Sequence, residues 1–157
     1  MYRSLILVLC LFAFACAPNL TATSQTSTKD VELDAAIQQA RDSLDIFIRR
    51  IASPHGNRTL VAVKVRFFLP DGSSQDIWVD GVTYTDDTFR GNMGDDIPAL
   101  KLKFDEKITI PREDILDWMI VEDGKLIGGY TIRLAVQRMS PEEKERFLKT
   151  LDYSIDD

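Results

Sequence analysis

The chain has 157 residues, of which 19 are basic and 25 acidic, for a formal net charge of −6; it has two cysteines and one histidine. A chain this acidic, whose longest basic cluster is Arg49-Arg50, is a poor candidate for a nucleic-acid binder or for a charge-driven ligand of anionic membrane surfaces, and no nucleic-acid partner is expected. A single histidine, with no cysteine after position 16, likewise argues against a zinc centre or a cysteine nucleophile, so no metal or cofactor is expected.

The opening MYRSLILVLCLFAFAC carries one charge, Arg3, and then an unbroken apolar run from Leu5 to Ala15. The run is too short to span a bilayer as a finished helix and reads as a secretory signal. Two cleavage readings meet at the same bond: Ala13-Phe14-Ala15 fits ordinary signal peptidase, and Ala15-Cys16 fits the bacterial lipobox, although Ala13 is a weaker match than leucine. Both cysteines, Cys10 and Cys16, lie in this stretch, so Cys16 has no disulfide partner in a mature chain, which favours its lipidation. Residues 1–15 are thus expected to be a signal peptide and residues 16–28 a lipid-anchored tether. The tether, APNLTATSQTST after the cysteine, has no charge and reaches about 20 Å as a flexible coil. Loss of Arg3 leaves 18 basic against 25 acidic residues, so lipid rather than charge would hold the protein at a membrane. The expected location is the bacterial envelope, on the periplasmic face of the outer or inner membrane if the organism has two; Ala17 after the cysteine favours the outer one.

Residues 29–157 amount to one domain. Leu33, Ile37, Ala40, Leu44, Phe47, Ile48 and Ile51 step by three and four, which predicts one amphipathic helix of about 20 residues from Thr28–Asp30, stopped by Pro54-His55-Gly56. The period then changes to two: LVAVKVRFFL turns Val61, Val63, Val65, Phe67 and Leu69 one way and Lys64 and Arg66 the other. After a Pro70–Ser73 turn, QDIWVDGVTY is a second strand with Ile77 and Val79 inward and a bulge expected at Gly81. Asp86-Asp87 turns the chain into a third strand, TFRGNM, and KITIP is a fourth, with Pro111 ending it or opening a helical turn over Arg112 to Leu116.

Asp123-Gly124 in DWMIVEDGKLIGGYTIR is a two-residue hairpin signal. Folding about it pairs Glu122 with Lys125, Val121 with Leu126, Ile120 with Ile127, Met119 with Gly128 and Trp118 with Gly129. The double glycine then leaves room for the indole, and it matches no phosphate-binding glycine pattern. Ser140-Pro141-Glu142-Glu143 is a capping box that opens a last helix with Phe147, Leu148 and Leu151 inward. The expected fold class is α+β: an N-terminal amphipathic helix, an antiparallel sheet of about five to six strands and a C-terminal helix.

The run ILDWMIVEDGKLIGGYTIR followed by RMSPEEKERF, together with DVELDAAIQQAR, VAVKVRF and IWV upstream, resembles the YegJ-like family of small bacterial domains of unknown function. The resemblance spans Asp30 to Phe147 and implies a fold unit with no established reaction and no catalytic residues to carry over. GNMGDDIP departs from it, with extra acids where the family has a more neutral run.

His55 reads as a solvated turn residue. The acid pairs Asp86-Asp87, Asp95-Asp96 and Asp156-Asp157 read as turn acids, since the nearest calcium-loop frame, DDTFRG, puts Arg90 at a ligand position. Asp117, Trp118, Lys125, Tyr130 and Trp78 are the candidate binding surface. The expected function is a non-catalytic interaction module for an envelope protein or peptidoglycan. One alternative is a hydrolase of envelope glycans that pairs Asp117 with Glu122 or Asp76; the other is a purely structural or stress-linked lipoprotein.

Overall fold

The computed structural model describes residues 28–53 and 56–156. The expected signal peptide, Cys16, the expected tether up to residue 27 and His55 lie outside the described residues.

The domain is α+β, with a six-stranded, wholly antiparallel sheet. Helices α1 (Thr28–Asp42) and α2 (Leu44–Ala52) precede strands β1 (Arg58–Phe68), β2 (Ser74–Thr85), β3 (Thr88–Met93), β4 (Lys107–Pro111), β5 (Ile115–Glu122) and β6 (Lys125–Gly128). Helices α3 (Tyr130–Gln137) and α4 (Pro141–Leu148) follow. The strand order is β4-β3-β2-β1-β5-β6, so the chain must cross from one edge, β4, to a place beside β1.

That crossing dictates the curvature of the sheet. Between Pro111 and Ile115 runs only the short 3-10 turn Arg112–Asp114, and four residue steps span at most about 14 Å. Four strand spacings in a flat sheet come to about 19 Å. The sheet therefore curls until the ends of β4 and β5 approach each other. Phe47 of α2 fills the concave side and is fully buried. Its ring lies 5.8 Å from Phe89 on β3 and 5.2 Å from Trp118 on β5, strands that are three apart in the sheet.

The predicted alternation holds. Val63, Val65, Val79, Phe89, Ile110, Trp118 and Ile120 face α1 and α2. Ala62, Met119, Val121 and Leu126 face the other way and are covered by Ile132 of α3 and by Tyr153 and Ile155 of the C-terminal tail. The register of β2 on β3 slips between Asp80 and Thr83, where Gly81 has φ +60°, as the expected bulge requires.

Two elements differ from expectation. The single N-terminal helix is broken at Ser43, whose backbone leaves the helix (φ −97°, ψ 3°). Its hydroxyl, 2.8 Å from the Gln39 carbonyl, and the Ala40 carbonyl each accept from Trp118 Nε1 at 3.0 Å. A buried indole N–H must find acceptors, and the break presents them. In the second arm of the hairpin, Glu122–Lys125 through Met119–Gly128 pair as expected, but the ladder stops there. Trp118 and Gly129 share one hydrogen bond, Gly129 N to Trp118 O at 2.8 Å, and YTIRLAVQ becomes α3 instead of continuing the strand.

The glycines also divide their roles. A Cβ on Gly128 would lie 2.5 Å from the Trp118 carbonyl oxygen and 2.6 Å from the indole ring, whereas one on Gly129 would meet Leu126 at 2.8 Å. The indole thus lies against Gly128. At the far end, the capping box is formed: Glu143 N donates to Ser140 Oγ at 3.3 Å, and Ser140 N to Glu143 Oε2 at 2.9 Å. Phe147, Leu148 and Leu151 are half-buried.

Gly124, with φ +72° and open space around it, separates backbone strain from steric collision. Gly124→Ala is expected to cost about 1 kcal/mol through strain alone, and Gly128→Ala about 2–4 kcal/mol because the methyl also strikes Trp118. Urea midpoints for the two variants check the order.

Candidate functional site

Asp117 is the most chemically suggestive group in the chain, a carboxylate with no exposed surface. It lies on β5 opposite Lys64 of β1. Its Oδ1 accepts from the backbone N–H of Trp118 at 2.8 Å and of Tyr130 at 3.2 Å. Oδ2 accepts from Thr131 N at 2.8 Å and Thr131 Oγ1 at 2.7 Å, and Lys64 Nζ donates to that hydroxyl at 3.2 Å. Tyr130 and Thr131 are the first two residues of α3, whose N-cap position is Gly129, with φ +66° and no side chain to offer. Asp117 therefore caps α3 across the fold, where the first N–H groups are unsatisfied and the helix dipole favours an anion.

Desolvation pushes the Asp117 carboxyl above the ordinary aspartate range, against the pull of its hydrogen bonds from Thr131, Trp118 and Tyr130. That raised value is the kind of perturbation catalytic acids show, but every oxygen here is saturated by protein donors and none faces solvent. As a candidate surface residue, Asp117 is corrected to an internal cap. Trp118, 2% exposed, is corrected likewise: it is a core residue, stacked on Phe47 and met edge-on by Tyr130 at 5.9 Å.

The other carboxylates of the hydrolase reading are not gathered with Asp117. Glu122 points to the opposite face of β5, as strand alternation demands, and lies 3.1 Å from Arg50 and 3.7 Å from Arg58. Arg58 Nε and Nη2 are buried with no hydrogen-bond partner among the described residues. Asp76 takes a two-pronged hydrogen bond from Arg66 at 2.7 and 2.8 Å, which holds its carboxyl below the ordinary range. Among the described residues no three His, Cys, Asp or Glu side chains form a group that could hold a metal ion.

The remaining candidates are spread out. Lys125 flanks the hairpin turn, exposed, 3.4 Å from Asp156. Trp78 is half-buried on the convex face of the sheet, with Lys64 Nζ 5.4 Å from its ring centroid. Tyr130 lines a groove of about 510 Å³ between α1 and α3. The groove has Ala35, Ala36 and Leu134 as its apolar lining, with Gln39 and Gln137, whose side-chain amides have no hydrogen-bond partner among the described residues. Glu32 and Arg138 close one end with a 2.7 Å ion pair, and Arg138 also donates to the Lys29 carbonyl at 2.6 Å. Arg133 stiffens the other helix, donating to the carbonyls of Gly128 at 2.9 Å and Leu126 at 2.8 Å and to that of Asp156. Gln39, Gln137 and Thr131 were not singled out from sequence. The available hint was the i, i+4 spacing of Ile132 and Val136.

The acidic loop is architectural. Asp96 accepts from Phe104 N at 2.7 Å and Glu106 from Lys103 N at 3.0 Å, while Ile97 plugs the core with no exposed surface.

The sequence pattern of DUF2314, described as an uncharacterized protein conserved in bacteria, matches residues 30–153. The chain belongs to this family. It is also 29% identical over 135 residues to the uncharacterized protein YegJ of Escherichia coli (strain K12), an alignment that covers 83% of this chain and 86% of that protein. No solved structure matches it. The resemblance read from DWM, DGK and GGYTIR is therefore a family relationship. In this chain those residues are the buried cap, the hairpin turn and the first turn of α3.

Asp117 gives a pH signature. With its carboxyl raised, the folded chain holds a proton that an unfolded aspartate, titrating at about 3.9, has already lost. Its contribution to stability is therefore complete below that value and is lost as pH rises through the folded one. The stability of the native chain minus that of Asp117→Asn is expected to be largest in acid and to shrink as pH rises. Asp117→Ala, which strands the α3 N–H groups, should cost about 1–3 kcal/mol. Urea titrations of the three chains at several pH values measure both effects.

Proposed function

We propose that this protein is a non-catalytic binding module of the bacterial envelope, tethered by a lipid on Cys16, that takes an extended polar segment of a partner in the α1–α3 groove. The observation that carries this reading is the construction of the groove. One wall, α3, is pinned at its start by Asp117 and along its length by Arg133, and the other, α1, is joined to it by the Glu32–Arg138 pair. A rigid, open cleft with two free amides, one tyrosine and a small-residue floor suits an uncharged backbone, either a peptide or a glycan strand. Catalysis would need a solvent-facing acid or base, and the one carboxyl among the described residues with a raised value is sealed inside. The tether supports the same reading, because the chain enters α1 at Thr28, beside the end of the groove that Arg138 closes.

Two measurements test it. Cys16→Ser is expected to abolish lipid labelling and to release the domain into the soluble extracytoplasmic fraction; continued membrane association of a normally processed variant would sink the anchor. A photocrosslinker at Gln137 of the lipidated protein in cells is expected to join one discrete envelope partner. Gln39→Ala with Tyr130→Phe should cut that yield several-fold while leaving the thermal midpoint in place. Release of fragments from peptidoglycan by the pure protein would overturn the non-catalytic reading.

A further inference from the structure

Among the described residues no helix covers the convex face of β3, β4 and the part of β2 beyond Trp78, unlike β1, β5 and β6, whose convex side chains pack beneath α3 and the tail. On it the β2 bulge leaves a depression of about 400 Å³. Gly81, the extra residue with φ +60°, puts no side chain there. Around this bare backbone stand Thr83, Arg90, Asn92, Lys107 and Thr109. The register brings them together: Arg90 lies between Thr83 and Thr109, and Asn92 between Asp80 and Lys107.

Arg90 and Lys107 are exposed, and neither side chain has a hydrogen bond or ion pair among the described residues. The other cations of this face are engaged: Arg66 holds Asp76, and Lys64 contacts Thr131 and Trp78. In a chain of net charge −6, two unpaired cations on adjacent strands, beside an amide and two hydroxyls, form a local donor-rich patch.

We propose that this depression binds a carboxylate carried on a polar polymer, specifically the stem-peptide carboxylates of peptidoglycan. The ligand class follows from charge: Arg90 and Lys107 against the neighbouring Asp80 leave one net positive charge, which a monoanion neutralises and a phosphate dianion would exceed. The guanidinium fork matches a carboxylate in two-pronged fashion, with Asn92 and the threonine hydroxyls as further donors. The polymer class follows from the lining, which is polar apart from Ile108, a residue that packs against the core on the other face of β4. A protein partner draws its affinity from buried aromatic and aliphatic anchors that this depression lacks. The nearby edge is also unsuited to strand addition, because β4 is short and carries Lys107 and Pro111 at its ends. The choice of peptidoglycan rests on the envelope reading above; the choice of a carboxylate does not.

The test uses the lipidated protein in detergent micelles, with backbone amide shifts and calorimetry as readouts. Its probes are a muropeptide with free carboxylates, the same muropeptide amidated, and inorganic phosphate. The free-acid probe is expected to shift the amides of Thr83, Asn92 and Thr109. Amidation, or the double variant R90Q/K107Q, should weaken binding at least tenfold with the thermal midpoint unchanged, since neither side chain holds the fold. Binding indifferent to amidation or to R90Q/K107Q overturns the proposal, as does phosphate binding as tightly as the muropeptide, or no muropeptide binding at all. Shifts confined to Gln39, Tyr130 and Gln137 would overturn this site yet leave the groove reading standing. Loss of the Gln137 crosslink with the amide shifts intact would do the opposite.

Discussion

The stack of Trp118 on Phe47 holds the two halves of the molecule in place. Its rings lie 5.2 Å apart, and through Phe47 the same aromatic column reaches Phe89 on a strand three places away. Only a strongly curled sheet lets one helix residue touch both strands, and the short Arg112–Asp114 crossing imposes that curl from the backbone side. The indole N–H then needs an acceptor inside the core, and the N-terminal helix supplies two by breaking at Ser43. Curvature, aromatic packing and helix break are therefore one arrangement. Each large aromatic contributes roughly 150–250 Å² of buried surface, so this column dominates the apolar stabilisation of the concave side.

The convex side of β5 is organised by the next residue back along the strand. Asp117 and Trp118 point to opposite faces, as neighbours in a strand must, and each satisfies a different helix: Trp118 the break between α1 and α2, Asp117 the start of α3. Gly128 and Gly129 end the hairpin with positive φ and aim the chain so that its next two N–H groups meet the carboxylate. Lys64 and Thr131 extend the network into β1, and Lys64 reaches Trp78 on β2. The residues that carry the family pattern thus form a joint between sheet and helix. A pattern dense in aromatic, acidic and glycine residues thus has a structural role in this chain.

The surfaces left over by this architecture are the ones with binding chemistry. The α1–α3 groove is polar, with its charged residues Glu32, Arg138 and Arg133 engaged in contacts within the fold, and the convex face of β2–β4 is open and locally cationic. Neither sheet edge competes with them. β4 is defended by Lys107 and Pro111, and β6 is covered by the tail, where Leu126 N donates to Ser154 O and Ser154 N to Gly124 O, both within 2.9 Å.

The amino-acid sequence alone determined whatever depends on neighbours along the chain. Period-two alternation placed β1 and its faces, Gly81 marked the bulge, Asp123-Gly124 set the hairpin register, and Ser140 to Glu143 formed their capping box, because each involves residues only a few positions apart. The tertiary structure decided what depends on partners distant in sequence. Leu33 to Ile51 keeps helical spacing across Ser43, so only an indole arriving from position 118 marks the break. YTIRLAVQ mixes β-branched and straight side chains and has no local cap, so its helicity awaits a carboxylate 14 residues upstream. The same contact withdrew Asp117 from the surface. A residue's chemistry is written in the sequence, but whether water reaches it depends on which distant groups pack over it, and for Asp117 and Trp118 that packing turned candidate site residues into the frame of the fold.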